Sequence, residues 1–268
     1  MPWFSHQRFR LHYVDRGKGT PFVFQHGLGG STDQTAGLFP EAPPGVRLLS
    51  LDCRSHGESE PAAQPEDLRF SLMADDIVAW MDHLVVADVV LGGISMGGGI
   101  ALNLALRYPG RVRGLLLSRP AWLDGSMEAG QLYFEVAALI RSKGIEEGQR
   151  AFLASSSYAR LRLESADAAN SLLRQFQAPR AKERVSRLEQ MPRDIPHPDR
   201  KQRAAIKVPT LILATHTDPV HPLRLARDLA DTIPGAEFRQ VTPKSIDAAL
   251  HVREVQLVVG NWLQAFRS

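Results

Sequence analysis

At 268 residues, 44% hydrophobic and 23% charged, the chain has the length and composition of an ordinary globular protein that can bury a sizeable core. No apolar run approaches the roughly 20 residues a membrane-spanning helix needs, residues 1–10 hold no apolar stretch of a secretory signal, and the single cysteine, Cys53, cannot close an internal disulfide. A cytoplasmic location without membrane association is therefore expected, and a net charge of +3, with its basic excess between Ala121 and Lys207, is too small to imply a nucleic-acid partner.

In chain order, short apolar runs alternate with amphipathic stretches, which predicts an α/β fold with a mostly parallel central sheet. Residues 9–15 and 21–25 read as opening strands around the turn Arg16-Gly17-Lys18-Gly19, and 46–51 as the next buried strand. Met73, Ile77, Trp80, Met81 and Leu84 recur at helical spacing behind Ser71, placed to cap that helix. A strand follows at 89–94, a helix at 97–107 ended by Tyr108-Pro109-Gly110, and a strand at 112–118. After Pro120 the strand rhythm stops for about eighty residues of helical periodicity. That predicts a helical cap over 121–207, inserted between core segments 1–120 and 208–268. The rhythm resumes with a strand at 209–214, a helix at 223–231, a strand at 236–241 and a closing helix at 252–266.

Gly93-Ile94-Ser95-Met96-Gly97 lies between a predicted strand and a predicted helix. A tight strand-to-helix turn forces its central residue toward strained backbone angles, and flanking glycines remove the Cβ atoms that would clash there. The Ser95 hydroxyl is thereby raised at the sheet edge as a candidate nucleophile. A serine needs a base, and of nine histidines His251 is the first candidate, in the loop expected ahead of the closing helix. His26 and His56 stand beside glycines and are read as loop braces. Asp218, after the strand at 209–214, is the expected acid that orients the base, with Asp124 as the alternative. His216 and His221 flank Asp218, but without a further matched cluster no metal and no cofactor is expected. The glycine-rich loop His26-Gly27-Leu28-Gly29-Gly30 can present backbone N–H groups, so Leu28 and Met96 are the expected oxyanion donors.

These residues carry a resemblance to the α/β-hydrolase superfamily. His26-Gly27-Leu28-Gly29-Gly30, the stretch from Asp52 to Ser59, Gly93-Ile94-Ser95-Met96-Gly97-Gly98, Asp218 with Pro222, and His251 fall in that family's order and approximate spacing. Cys53 and Ser55 depart from commoner residues in their turn, and Leu250 stands before His251 where the family often has glycine. The resemblance implies an α/β-hydrolase fold with helices on both faces and a small-molecule substrate. Among its members, serine at the nucleophile position points away from haloalkane dehalogenases and epoxide hydrolases.

The expected reaction is hydrolysis of a small carboxylic ester or lactone through an acyl-enzyme. A carbon–carbon (diketone) hydrolase or an acyltransferase with the same triad, and a non-catalytic ligand receptor, are the alternatives. Trp122, Tyr133, Phe134 and Tyr158 are candidates to line an apolar substrate pocket, and Arg160 and Arg162 to meet a substrate carboxylate. The sequence does not specify an oligomeric state.

Overall fold

A parallel strand covered by helices on both faces buries every side chain, so it reads as an unbroken apolar run. The computed structural model, which describes residues 2–197 and 199–267, contains such strands. Its elements begin with β1 (Trp3–His6), β2 (Phe9–Gly17), β3 (Thr20–Gln25), α1 (Thr32–Leu38), β4 (Val46–Leu51) and α2 (Phe70–His83). They continue with β5 (Val89–Ile94), α3 (Met96–Arg107) and β6 (Val112–Ser118), of which β5 is buried at all six positions. Four helices follow, α4 (Gly130–Leu153), α5 (Ser156–Glu164), α6 (Ala166–Gln177) and α7 (Ser186–Gln190). The chain then returns through β7 (Thr210–Ala214), α8 (Leu223–Thr232), β8 (Glu237–Gln240) and α9 (Ala248–Leu263).

The eight strands form one sheet in the order β1-β2-β4-β3-β5-β6-β7-β8. β1 and β2 run antiparallel to their neighbours and the other pairs are parallel. Period-two alternation divides the core between the two faces. Leu91, Leu115, Leu117 and Ile212 pack with α2, α3 and the helices after β6, while Val90, Leu116, Leu211 and Leu213 pack with α1 and α9. The strand order reverses between β3 and β5, where Gln25 lies opposite Gly93. The loops leaving those two strands therefore open side by side at the carboxyl edge, the position at which open α/β sheets bind ligands.

Two local expectations are corrected, and one helix is added. Ser71 does not cap α2; the helix begins at Phe70, whose N–H donates to Asp194 Oδ2 at 2.6 Å from 124 residues away. Helix α1 lacks a long apolar period and depends on Ser31, whose hydroxyl accepts from the Asp33 N–H. Helix α9 starts at Ala248 instead of 252, because Asp247 caps it by accepting from the Leu250 N–H at 2.8 Å. That last correction moves His251 from a loop into the first turn of a helix. No helix among the described residues is long and apolar enough to cross a membrane.

Candidate active site

Ser95 sits between β5 and α3 with φ 56° and ψ −113°, a left-handed conformation that costs on the order of 1–3 kcal/mol for a residue with a side chain. The turn closes because two neighbours lack side chains. A Cβ at Gly93 would lie 2.2 Å from the Gly97 carbonyl carbon, and one at Gly97 would lie 2.3 Å from the Gln25 carbonyl oxygen. Backbone bonds hold the bend, since Ser95 N–H donates to Ser118 O at 2.9 Å and Gly99 N–H to Ser95 O at 3.1 Å.

The imidazole facing this serine belongs to His221. Its Nε2 lies 2.9 Å from Ser95 Oγ, and its Nδ1 lies 2.9 Å from Asp218 Oδ2. Both the acid and the imidazole come from one short segment, Asp218-Pro219-Val220-His221-Pro222, after β7. Asp218 Oδ1 accepts from the Val220 and His221 N–H groups at 3.1 and 3.2 Å, an Asx turn that folds the histidine back over its own acid. The two prolines restrict φ on either side of Val220 and His221.

Burial alone would raise the Asp218 carboxyl, but the charge and hydrogen bonds of His221 and Arg119 outweigh it and hold the group far below the ordinary carboxylate range. An ionised carboxylate only accepts, so Nδ1 of His221 donates to it and Nε2 is the ring nitrogen that faces the Ser95 hydroxyl. Arg119, at the end of β6, donates to Asp218 Oδ2 through Nε at 3.1 Å and Nη2 at 2.5 Å. Its Nη2 also reaches Asp167 of α6 at 3.4 Å. Burial works against the Arg119 charge, yet Asp218 and Asp167 more than offset it and raise the guanidinium above its usual value.

Ser95 and His221 open onto a cavity of about 60 Å³ whose walls include Gly27, Leu28, Arg119 and Tyr133. A larger cleft of about 960 Å³, lined by His12, Asp52 and Gly30 among others, does not include Ser95. Size therefore does not locate the hydroxyl; the serine–imidazole contact does.

Residues 20–252 match the family model described as alpha/beta hydrolase fold. The chain belongs to this family. Among curated relatives it is 28% identical over 86% of its length to the 2-hydroxymuconate semialdehyde hydrolase of Pseudomonas sp. strain CF600, covering 81% of that protein. It is also 37% identical, over 46% of its length, to the dihydrolipoyllysine-residue acetyltransferase component of the acetoin cleaving system of Pseudomonas putida, of which the match spans only 33%. Among solved structures, the enol-lactonase of Burkholderia xenovorans superposes with a TM-score of 0.78 at 22% identity, covering 98% of this chain and 100% of that one.

Within this alpha/beta hydrolase the residues singled out in the sequence are only partly brought together. Ser95 and Asp218 share one imidazole, but it is not that of His251. His251 is 2% exposed in the first turn of α9, with Nδ1 2.7 Å from the Thr242 carbonyl oxygen; burial lowers its basicity. Asp124 is held elsewhere, its Oδ1 accepting from Arg203 Nη2 at 3.0 Å. Leu28 borders the cavity, its carbonyl accepting from Gln175 Nε2 at 3.2 Å, and Met96 is buried as the first residue of α3.

Of the four aromatic candidates, Tyr133 lines the Ser95 cavity, and burial raises its phenol above the ordinary value. Trp122 packs edge-on against Phe70 at 5.3 Å, Tyr158 against Phe152 at 5.5 Å, and Phe134 lies 4.0 Å beneath the Arg193 guanidinium. These three belong to packing. Arg160 and Arg162 are exposed, and Arg160 borders a separate hollow with Glu128 and Glu164. His26 accepts from the Cys53 N–H at 3.0 Å through Nε2 and donates from Nδ1 to Gly27 O at 2.8 Å, which ties the glycine loop to the turn after β4.

Sequence reasoning missed His221, Arg119, Lys244 and Arg174, all of which line the cavity. A signal for the first was present: His221 follows Asp218 by three positions between prolines, a spacing that one Asx turn can close.

Proposed function

We propose that the protein hydrolyses a small carboxylic ester or lactone through an acyl-enzyme on Ser95. The observation that carries this reading is the chain of contacts from Ser95 Oγ through His221 to Asp218, 2.9 Å at each step. His221 Nε2 takes the hydroxyl proton as Oγ attacks the carbonyl carbon, and Asp218 stabilises the imidazolium that forms. Negative charge on the carbonyl oxygen is met by the N–H groups of Leu28 and Met96, the second at the start of a 12-residue helix. The imidazolium returns its proton to the leaving alcohol oxygen. Water, deprotonated by the same Nε2, then releases the acid and regenerates Ser95. The helices between β6 and β7 act as a cap over residues 121–207, with Tyr133 facing the substrate. The lone cysteine, buried and unpaired, accords with a cytoplasmic location.

The identity to a semialdehyde hydrolase over 86% of the chain favours a second reading, cleavage of a carbon–carbon bond beside a carbonyl by the same three residues. A fluorophosphonate probe should label the native protein at Ser95 and not Ser95→Ala. A panel of esters, lactones and vinylogous diketones then separates the two readings. Folded protein that neither takes the probe nor turns over any of the three classes would refute both.

A further inference from the structure

We propose that the substrate of this site carries a carboxylate, held between Lys244 and Arg174 while its ester or lactone carbonyl faces Ser95. The inference rests on the hydrolase reading above and names the substrate class within it. Three cations line the cavity, Arg119, Arg174 and Lys244, against one lining carboxylate, Asp167. Arg119 is consumed by the structure itself, because it pairs with both Asp167 and Asp218. That pairing also engages the one acid in the lining.

Lys244 and Arg174 remain. Neither makes a side-chain hydrogen bond or ion pair among the described residues. Lys244 lies in the loop between β8 and α9 and is half-buried; burial, then the nearby Arg119, lower its ammonium from the usual value. A half-buried ammonium without a partner is a cost to the folded chain that a bound anion offsets. Arg174, on α6, is exposed and lines both this cavity and the larger cleft, which places a planar two-donor group at the mouth. A carboxylate matches an ammonium on one side and a guanidinium on the other, whereas a neutral ester of the same length leaves both unpaired.

The test compares kcat/KM for a monoalkyl succinate and for the neutral ester of equal chain length. The wild type should favour the half-ester. Lys244→Met, close in volume, and Arg174→Gln, at an exposed position, should each lower the acidic-to-neutral ratio about tenfold, chiefly through KM, as expected for loss of one charge-assisted contact. Lys244→Glu should invert the preference. Lys182→Met, at an exposed lysine outside the cavity lining, should leave the ratio as it is. Equal rates on both esters in the wild type, or unchanged ratios in both folded variants, would overturn the carboxylate site while the serine mechanism stands. If neither ester is turned over, the hydrolase reading is decided by the probe and the wider substrate panel, and calorimetric titration of folded Ser95→Ala with the half-ester decides the site. Binding that disappears on adding Lys244→Met supports it, and no binding overturns it.

Discussion

Ser95 and His221 stand 126 positions apart in the chain and 2.9 Å apart at Oγ and Nε2. The contact exists because β5, β6 and β7 are adjacent and parallel, so the turn after β5 and the loop after β7 emerge at the same sheet edge. No local rule of sequence predicts such a meeting; it is a product of strand order.

The assignment of the base is decided by comparing two histidine variants. His221→Ala should lower kcat about 10⁴-fold or more on any ester the enzyme turns over, the scale seen when a serine triad loses its base. His251→Ala should keep activity within about tenfold and lose stability instead, since it empties a buried site and leaves the half-buried Thr242 carbonyl oxygen without its imidazole partner, a cost of about 1–3 kcal/mol. Steady-state kinetics beside denaturant unfolding reads both. The reverse pattern, with His251→Ala inactive and His221→Ala active, would return the base to the closing helix.

Arg119 is predicted to be a structural requirement. It is 8% exposed and joins buried Asp218 to half-buried Asp167, so Arg119→Met takes their shared cation from both carboxylates. Removing one partner from such a group costs about 3–5 kcal/mol, read as a fall in the urea midpoint. An unfolding curve that matches the wild type would show that the contacts contribute nothing net.

Much of the sheet was legible because buried parallel strands write themselves as continuous apolar runs. β4, β5 and β6 begin and end where those runs do, at Val46–Leu51, Val89–Ile94 and Val112–Ser118. The nucleophile was legible because the clash that demands glycine at 93 lies with Gly97 inside the turn itself, although the one at 97 is with Gln25 of the neighbouring strand. His251 was misplaced by a single cap. Asp247 starts α9 a turn early, which carries the imidazole from the loop into the helix and onto Thr242. β1 and α1 were missed because four residues at a sheet edge and seven in a helix show too little periodicity to read.

The elbow gives a backbone prediction. Gly93→Ala would set its Cβ 2.2 Å from the Gly97 carbonyl carbon, and the obstacle is backbone, which cannot swing aside as a side chain can. Relief requires β5 and α3 to separate, at about 1–3 kcal/mol, and the same shift moves Ser95 away from His221. Activity should therefore fall by more than the loss of stability accounts for. Probe labelling of the folded fraction measures that difference, and full labelling rates in folded Gly93→Ala would contradict it.

Asp218 supplies a pH dependence whose sign follows from its environment. His221 and Arg119 depress its folded-state ionisation below that of an unfolded carboxylate, despite the opposing effect of burial. A depressed acid stabilises the fold fully above its unfolded value, about 4, and loses that contribution progressively as the pH drops toward the folded value. Asp218→Asn cannot ionise and carries no such contribution. The wild-type advantage in unfolding free energy over Asp218→Asn should thus be constant from pH 6 to 8 and shrink below about pH 4. Acid titration of both proteins by circular dichroism measures this gap. A gap that widens on acidification would mean that the folded carboxyl is held protonated, which is incompatible with Nδ1 of His221 donating to it.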